Sequence, residues 1–512
     1  MTGQFQSSCT VSSDFEAGSG SDFHLDILAR RTNHTLWRSR LRERLHQQPY
    51  PLFGFEIGAV PAGTIWAGAR LWTYAFRGAS LTPGDRLLLA IEPCPAFIQI
   101  LVAAIWEGLT IAILPPPADE ETLTEHMERL DARAAIADVG SEENGVWHPD
   151  FCEGPLQTEI SPRPTRLDAT PEARFLLRTS GSTGVGKWVA LSDAGVLHVV
   201  DSHLPHLGLE EGESRVLSAL PWHHAFGLVL ELLPALFAGA ELLRDDLNGK
   251  DPQMLLDIGQ DLQATHLSLV PLTLKRLLSV PGGAEFVQSL QGGIVGGAPV
   301  DAELAQFLAT TRLRAGYGQT EASPGITLGN AGEWHGGHYL GHPLGCETRV
   351  DDDGVLHFQG VNMFLGYWKP ETGLTLLPED RWVNTGDIVE TLPDGGLRFM
   401  GRVDDAFKLA NGKRVEAGYW ESVIKQRYPQ VREAFLTSPD GIQLRLYTLF
   451  GSEQKALSVS EAQDALQGLG SKLAEVFSAP DTAWVYTAKG VLNRNETLQR
   501  LLALPQLEGA MV

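Results

Sequence analysis

Residues 179–187 read TSGSTGVGK. Counted from Gly181, the stretch satisfies G-x-x-x-x-G-K, most of the phosphate loop of a P-loop NTPase. The next residue argues against that reading. A P-loop places Ser or Thr there, because the hydroxyl ligates Mg²⁺; here it is Trp188, which offers a metal no oxygen. A P-loop also needs an apolar strand ending in Asp, and no clear version of it is found. The stretch can hold phosphate in another way. It follows the apolar run FLL (175–177), its glycines let the backbone approach closely, and its N–H groups and hydroxyls converge as donors. Lys187 can counter phosphate charge. Taken alone, the same residues read equally well as an ordinary Gly/Ser-rich turn.

The rest of the chain narrows the choice. At 512 residues it is too long for one compact core, and its length allows roughly three domains. A formal net charge of −23, with no run of Lys or Arg, excludes a nucleic-acid footprint. Four scattered cysteines, Cys9, Cys94, Cys152 and Cys346, form no C-x-x-C pair, which fits a reducing compartment and predicts neither a disulfide frame nor a zinc site. The first 22 residues are polar and read as a loose tail, not a signal peptide. The most hydrophobic region, 87–117, is broken by Glu92, Pro93, Pro95, Glu107 and Gly108, so it predicts no membrane span. The expected location is the cytoplasm.

That region reads as a β-α-β unit: a strand in TPGDRLLLAIEP (82–93), a core helix in PAFIQILVAAIWEG (95–108), and a strand in LTIAILPPP (109–117) stopped by prolines. The alternation recurs at 215–245 and 264–300. The fold class is therefore α/β. Near residue 400 the texture changes to a short α+β segment, with a helix in RVEAGYWESVIKQRY, a hairpin in EAFLTSPDGIQLRLYTLF and a helix in SEAQDALQGLGSKLAEVF. The expected organisation is a large N-terminal domain over 23–402 and a small C-terminal domain over 403–512.

Two further stretches give the loop its context. GYGQTEASPG (316–325) and NTGDIVETLPDGGLRFMGRVDD (384–405) come after it in order. Together with TSGSTGVGK they resemble the core motifs of the acyl-adenylate-forming superfamily, which includes acyl- and aryl-CoA synthetases, nonribosomal-peptide adenylation domains and luciferases. The resemblance runs from about residue 66 to 500. It implies a large domain of parallel and mixed sheets sandwiched by helices, a small mobile lid domain, and an active site between them. It also implies ATP, Mg²⁺ and a small carboxylic acid as substrates.

Residue by residue, the resemblance assigns the β/γ-phosphates to Thr179, Ser180, Gly181, Ser182, Thr183, Gly184 and Lys187. The usual Pro before the lysine is Gly186 here. Tyr317 and Gly318 match the segment that stacks on adenine, Thr320 the α-phosphate contact, and Glu321 the magnesium ligand, a hard oxygen anion suited to that ion. Gly297, Ala298 and Pro299 match the segment flanking adenine, although Gly296 and Gly297 read equally as a tight turn. Asp387 matches the acid that accepts two ribose hydroxyls, and Arg402 an arginine contacting ribose or phosphate. Asp404 matches the hinge of the small domain; as plain sequence, DD is a solvated turn. The catalytic lysine of the family is sought in YTAKGVLNR (486–494), where Lys489 is the single lysine, five residues before Arg494 instead of three. KLANGKRVE (408–416) resembles the form in long-chain acyl-CoA synthetases; Lys413 and Arg414 there could meet pyrophosphate or phosphopantetheine, or be a solvated turn.

WHHAFG (222–227) resembles the family's F-H-x-x-G motif and places His224 beside the carboxylate pocket. Amino-acid-activating relatives carry an Asp just after it. Counting back from Gly239 and Glu231, that position is Phe226. An apolar ring cannot compensate a buried ammonium, so the expected acid lacks an α-amino group and is aryl or aliphatic. Phe226, Ala298, Ser323, Pro324 and Ile326 are the expected pocket walls. HVVDSHLPH (198–206) reads as a helix and its end. HGGHYLGH (335–342) has three histidines near metal spacing, but on a Gly-rich loop with no flanking cluster of acids or cysteines it is read as a loop. The acceptor expected from the resemblance is a phosphopantetheine thiol, from CoA or an acyl carrier protein. Transfer of the acyl-adenylate to an amine or hydroxyl, and a non-catalytic nucleotide-binding relative, stay open as alternatives.

Overall fold

The β-α-β unit expected at 82–117 is present. The strand Arg86–Ala90, the helix Pro95–Glu107 and the strand Thr110–Ile113 succeed one another, and the two strands pair in parallel. Pro95 sits in the first helical turn, where its missing N–H costs nothing. Gly108 ends the helix at φ 77°, a left-handed conformation in which a side chain is strained. The computed structural model describes residues 40–45, 51–55, 58–138, 146–148, 173–179, 187–378, 380–428, 430–450, 457–486 and 492–504.

This unit lies inside an eight-stranded mixed sheet with the order Gly373–Leu374, Gly366–Lys369, Lys187–Ser192, Ala173–Thr179, Thr110–Ile113, Arg86–Ala90, Ala134–Ala137, Val146–Trp147. Its parallel half reads as continuous buried apolar runs, as strands covered on both faces should. A second sheet of five strands carries Arg215–Ser218 and Glu241–Arg244 in parallel. A third, again of eight strands, holds Arg314–Tyr317 near one edge and the antiparallel pair Val383–Thr391 and Leu397–Arg402 further in. One apolar core joins helices Ala62–Gly78, Pro95–Glu107 and Asp193–Leu207 to these sheets. Trp72, Phe76 and Trp147 stack within it.

After Phe399 the buried apolar side chains gather into clusters of their own, one around Val415, Ile424 and Leu446, the other around Phe435, Trp484 and Leu501. The expected helix in 414–428 is Ala417–Arg427, and the expected hairpin is Val431–Thr437 with Leu444–Phe450. One expectation fails. Of SEAQDALQGLGSKLAEVF, only Val459–Ala465 is α-helical, and Leu473–Ser478 is a strand pairing in parallel with Leu444–Phe450. Gly470 at φ 59° ends the helical run, and an open sheet edge captures the residues beyond it. HVVDSHLPH lies in the helix Asp193–Leu207, as expected. No helix among the described residues is long and apolar enough to cross a membrane.

The strand Ala173–Thr179 is tied to the start of helix Asp193–Leu207 by a buried ion pair. Arg174 Nε donates to Asp193 Oδ1 at 2.6 Å and Nη2 to Oδ2 at 2.9 Å, and the guanidinium also reaches the Leu109 carbonyl at 2.5 Å. Both side chains are almost fully buried. Asp193→Ala would leave a guanidinium buried without its anion, so we expect a loss of about 3–5 kcal/mol, read as a lower urea midpoint by tryptophan fluorescence. An unchanged midpoint would show that the pair is not needed.

Candidate active site

The phosphate-loop candidate closes a hairpin. Strands Ala173–Thr179 and Lys187–Ser192 are antiparallel, and Thr179 faces Lys187 across the pair. Ser180, Gly181, Ser182, Thr183, Gly184 and Gly186 lie outside the described residues. Trp188, which stands where a P-loop needs a hydroxyl, is buried, packs edge-on against His126 at 5.8 Å and pairs in register with Trp368. Its position is fixed by core packing.

From the base of this hairpin a line of side chains runs to Glu321. Lys187 Nζ lies 5.2 Å above the ring of Tyr367. The Tyr367 hydroxyl donates to Glu321 Oε1 at 3.0 Å. Glu321 and Thr320 occupy a single 3₁₀ turn, Thr320–Ala322, and the Glu321 carbonyl accepts the Phe364 N–H at 2.8 Å. A cation, a phenol and a carboxylate thus stand in line from Lys187 to Glu321. Sequence reasoning does not find Tyr367; an isolated Tyr in LGYW carries no motif.

A second group forms where Arg314–Tyr317 ends. The Tyr317 hydroxyl donates to Asp387 Oδ2 at 2.6 Å, and Arg402 Nη1 donates to Asp387 Oδ1 at 2.5 Å. Asp387 and Arg402 face each other across two antiparallel strands, which places their side chains together. Burial pushes the Asp387 carboxyl above its ordinary range, opposed by the Arg402 charge and the Tyr317 hydroxyl. Burial and the Asp387 charge hold the Tyr317 phenol well above its usual value. After Tyr317 the chain passes Gly318, where a Cβ would lie 1.5 Å from the Pro324 carbonyl, so a side chain is excluded there. Ser323 is left-handed at φ 58°, and its buried hydroxyl has no hydrogen-bond partner.

Of the residues expected to wall the acid pocket, Phe226 stands beside GGAP. Gly297 is left-handed at φ 80°, with Phe226 Cδ1 4.0 Å from the Cβ position and Val270 at 3.5 Å. GGAP and WHHAFG therefore meet. Ala298 and Pro299 come next, at the surface side of this contact, and Phe226 and His224 are half-buried. The His224 ring lies 4.3 Å from that of His223. Pro324 and Ile326 are buried, Ile326 within the main core.

Behind His224 and Phe226 lies a polar network that sequence reasoning misses. Leu228–Leu232 is a π-helical turn, a widening frequent at functional sites, and it carries Glu231. Ser218 Oγ donates to Glu231 Oε1 at 2.6 Å and accepts from Trp222 at 3.1 Å and Arg244 at 3.2 Å, which uses its full hydroxyl capacity. Glu231 Oε2 has no partner. Burial pushes the Glu231 carboxyl up to about 8, with Ser218 and Arg244 acting against it. The one signal in the sequence is a single acid inside LVLELLPALF.

On the C-terminal side, Lys489 lies outside the described residues. Arg494 is described. It forms a bidentate pair with Glu421 at 2.6 and 2.8 Å, lies 3.5 Å from Asp405 and covers the Phe435 ring at 4.3 Å. Asp404 is exposed, 3.7 Å from Arg402. Lys413 donates to the Leu469 carbonyl and Arg414 pairs with Glu416 at 2.5 Å, so both engage their own segment.

The 3₁₀ turn and the paired strands are carried on mixed sheets, with a small α+β segment after them. Comparison with known proteins supplies the family. A family model described as AMP-binding enzyme matches residues 74–368. The chain is 26% identical over 429 residues to the anthranilate–CoA ligase of Pseudomonas aeruginosa, covering 77% of this chain and 82% of that one. It is 29% identical over 442 residues to a polypeptide of the linear gramicidin synthase of Brevibacillus parabrevis, covering 79% of this chain but spanning only 8% of that protein. The fold is shared with o-succinylbenzoate coenzyme A synthetase from Bacillus subtilis, solved in complex with ATP and magnesium ion, at a TM-score of 0.71, 20% identity, and coverage of 90% of this chain and 99% of that one. The chain belongs to the AMP-binding enzyme family.

The buried Glu231 generates a pH test. Its folded carboxyl keeps a proton to about pH 8, whereas the unfolded one loses it near its ordinary value. The folded state then binds more protons, so stability falls as pH rises through that window, by up to about 1.4 kcal/mol per unit. In Glu231→Gln this slope should vanish. Parallel curves of unfolding free energy against pH for the two proteins would show that Glu231 is ionised when folded.

Proposed function

We propose that this chain is an acid–thiol ligase that forms AMP. It uses Mg-ATP to adenylate an aryl or aliphatic carboxylic acid without an α-amino group. It then passes the acyl group to a phosphopantetheine thiol, of CoA or of an acyl carrier protein. The observation that carries this reading is the line from Lys187, at the end of the hydroxyl-rich stretch, through Tyr367 to Glu321, which joins a cation to a hard carboxylate. That donor set suits a magnesium-bound polyphosphate.

In the first step a carboxylate oxygen of the acid attacks the α-phosphorus, the bond to the bridging oxygen breaks, and pyrophosphate leaves with the electron pair. Thr179, Ser180, Gly181, Ser182, Thr183, Gly184 and Lys187 hold the departing phosphates. Thr320 contacts the α-phosphate and Glu321 holds the magnesium ion. Tyr317 stacks on adenine, its ring fixed by the bond to Asp387. Asp387 takes the ribose hydroxyls beside Arg402, and Gly297, Ala298 and Pro299 flank the base. No general base is required, because the acid is already ionised near neutral pH. In the second step the thiol sulfur attacks the acyl carbonyl, its proton passes to solvent, and AMP leaves.

The acid pocket is formed by His224, Phe226, Ser323, Pro324 and Ile326. Phe226 at the contact with Gly297 supports an uncharged substrate wall. The separate apolar clusters after Phe399 support a boundary at Arg402/Val403, with Asp404 as the hinge and Lys489 as the lysine delivered for adenylation. We place the reaction in the cytoplasm, in keeping with the scattered cysteines.

Pyrophosphate exchange against a panel of aryl, aliphatic and α-amino acids tests the reading. Best exchange with an α-amino acid would overturn the substrate class, and no exchange with any acid would overturn adenylation. Product mass spectrometry with CoA or carrier protein tests the acceptor; an amide or ester in place of a thioester would overturn it. Lys489→Ala should lower adenylation by about 10²–10³ while leaving thioester formation from supplied acyl-adenylate. Asp404→Pro fixes φ at the hinge and should do the reverse. Wild-type adenylation in Lys489→Ala would remove that lysine from the mechanism.

A further inference from the structure

HGGHYLGH has no cluster of acids or cysteines beside it along the chain. The fold supplies the acids. Glu333 lies just before the stretch, and Asp394 comes from the turn between strands Val383–Thr391 and Leu397–Arg402. One ligand atom each from Glu333, His342 and Asp394 lies within 4.8 Å of the others. His335 Nε2 stands 3.0 Å from Glu333 Oε1 and 3.1 Å from Asp394 Oδ2, and His342 Nε2 stands 3.7 Å from Glu333 Oε1. Neighbouring ligands in a tetrahedral shell with bonds of about 2.0–2.1 Å are about 3.3 Å apart. The three histidine–carboxylate separations lie near that edge, and the Glu333, His342 and Asp394 atoms fall within 4.8 Å of one another.

The surroundings are built to match. Each carboxylate has one oxygen fixed from behind and the other turned inward. Glu333 Oε2 accepts from the Asn330 backbone at 3.1 Å and side-chain amide at 2.7 Å. Asp394 Oδ1 accepts the Gly396 N–H at 3.0 Å. The backbone carbonyl of His335 is held by Arg398 at 2.9 Å, and the Trp334 indole by the Leu313 carbonyl at 3.1 Å. Such second contacts orient metal ligands. Tyr339 backs the cluster. It is 3% exposed, and its ring packs edge-on against both His335 and His342.

We propose that Glu333, His335, His342 and Asp394 form a binding site for a borderline-soft divalent ion, Zn²⁺, distinct from the magnesium position at Glu321. Two imidazoles and two carboxylates, with no sulfur, select Zn²⁺ over Mg²⁺ or Ca²⁺, which take oxygen ligands. A bound ion neutralises both carboxylates. It pins the turn of the hairpin whose strands carry Asp387 and Arg402 to the loop before strand Tyr339–Pro343.

The test uses the full chain, stripped with chelator and dialysed against Zn²⁺ with metal analysis. We expect one equivalent bound at this site, a rise in Tm on binding, and no displacement by excess Mg²⁺. The double variant His342→Gln/Asp394→Asn should lose that equivalent and the Tm rise, with affinity lowered at least about 10–100-fold. Glu321→Gln should keep both. Circular dichroism of the metal-free double variant checks its fold. If it is unfolded, His342→Gln alone is read through bound Co²⁺, whose visible spectrum should lose its tetrahedral form. Zn²⁺ binding of equal stoichiometry and affinity in the folded double variant, an unchanged Co²⁺ spectrum in the single one, or no Zn²⁺ bound by the wild type would overturn the site.

Discussion

The carboxylate of Asp387 is the point on which the site depends. It is buried, and a buried anion left unpaired costs several kcal/mol. It is paired twice, by Arg402 across the hairpin and by Tyr317 from a neighbouring part of the same sheet. These bonds fix where Arg314–Tyr317 ends, and so where the turn bearing Thr320 and Glu321 begins. They also fix Arg402, from which the chain leaves for the C-terminal segment. One electrostatic requirement thereby sets the relation between the Tyr317 ring, the 3₁₀ turn and the exit of the chain.

The contact between Phe226 and Gly297 is organised by a different rule. It is apolar, but the helical turn that follows Phe226 is anchored by polar groups. Ser218 exhausts its hydrogen bonds on Glu231, Trp222 and Arg244, and the π-turn swings Glu231 inward to meet it. A low local dielectric makes each of these bonds count for more and makes an unpaired member costly. The polar anchor and the apolar contact are therefore supplied by different residues.

The C-terminal segment shows the same division between packing and charge. Its apolar clusters are its own, whereas Arg494 ties its last helix to Glu421 and to Asp405, which borders the exposed Asp404.

Local chemistry makes much of this protein legible from sequence. Apolar runs of strand length between prolines and glycines mark the β-α-β unit, Gly108 its helix end, and Trp188 the exclusion of a P-loop. Motif order marks the class, because Tyr317, Glu321, Asp387 and Arg402 stand at spacings that the chain preserves. The strand Leu473–Ser478 reads as helix, because its pattern suits either state and only the free edge of Leu444–Phe450 decides. Tyr367, the Glu231 network and the Glu333–His342–Asp394 cluster are closed to sequence reasoning for a related reason. Their members are separated along the chain and brought together by strand register, which acts through hydrogen bonds that every residue makes and no residue type announces. The sequence by itself determined which chemical groups are available and how each short segment prefers to fold; the tertiary structure alone decided which of those groups meet, because burial forces distant polar residues to find one another.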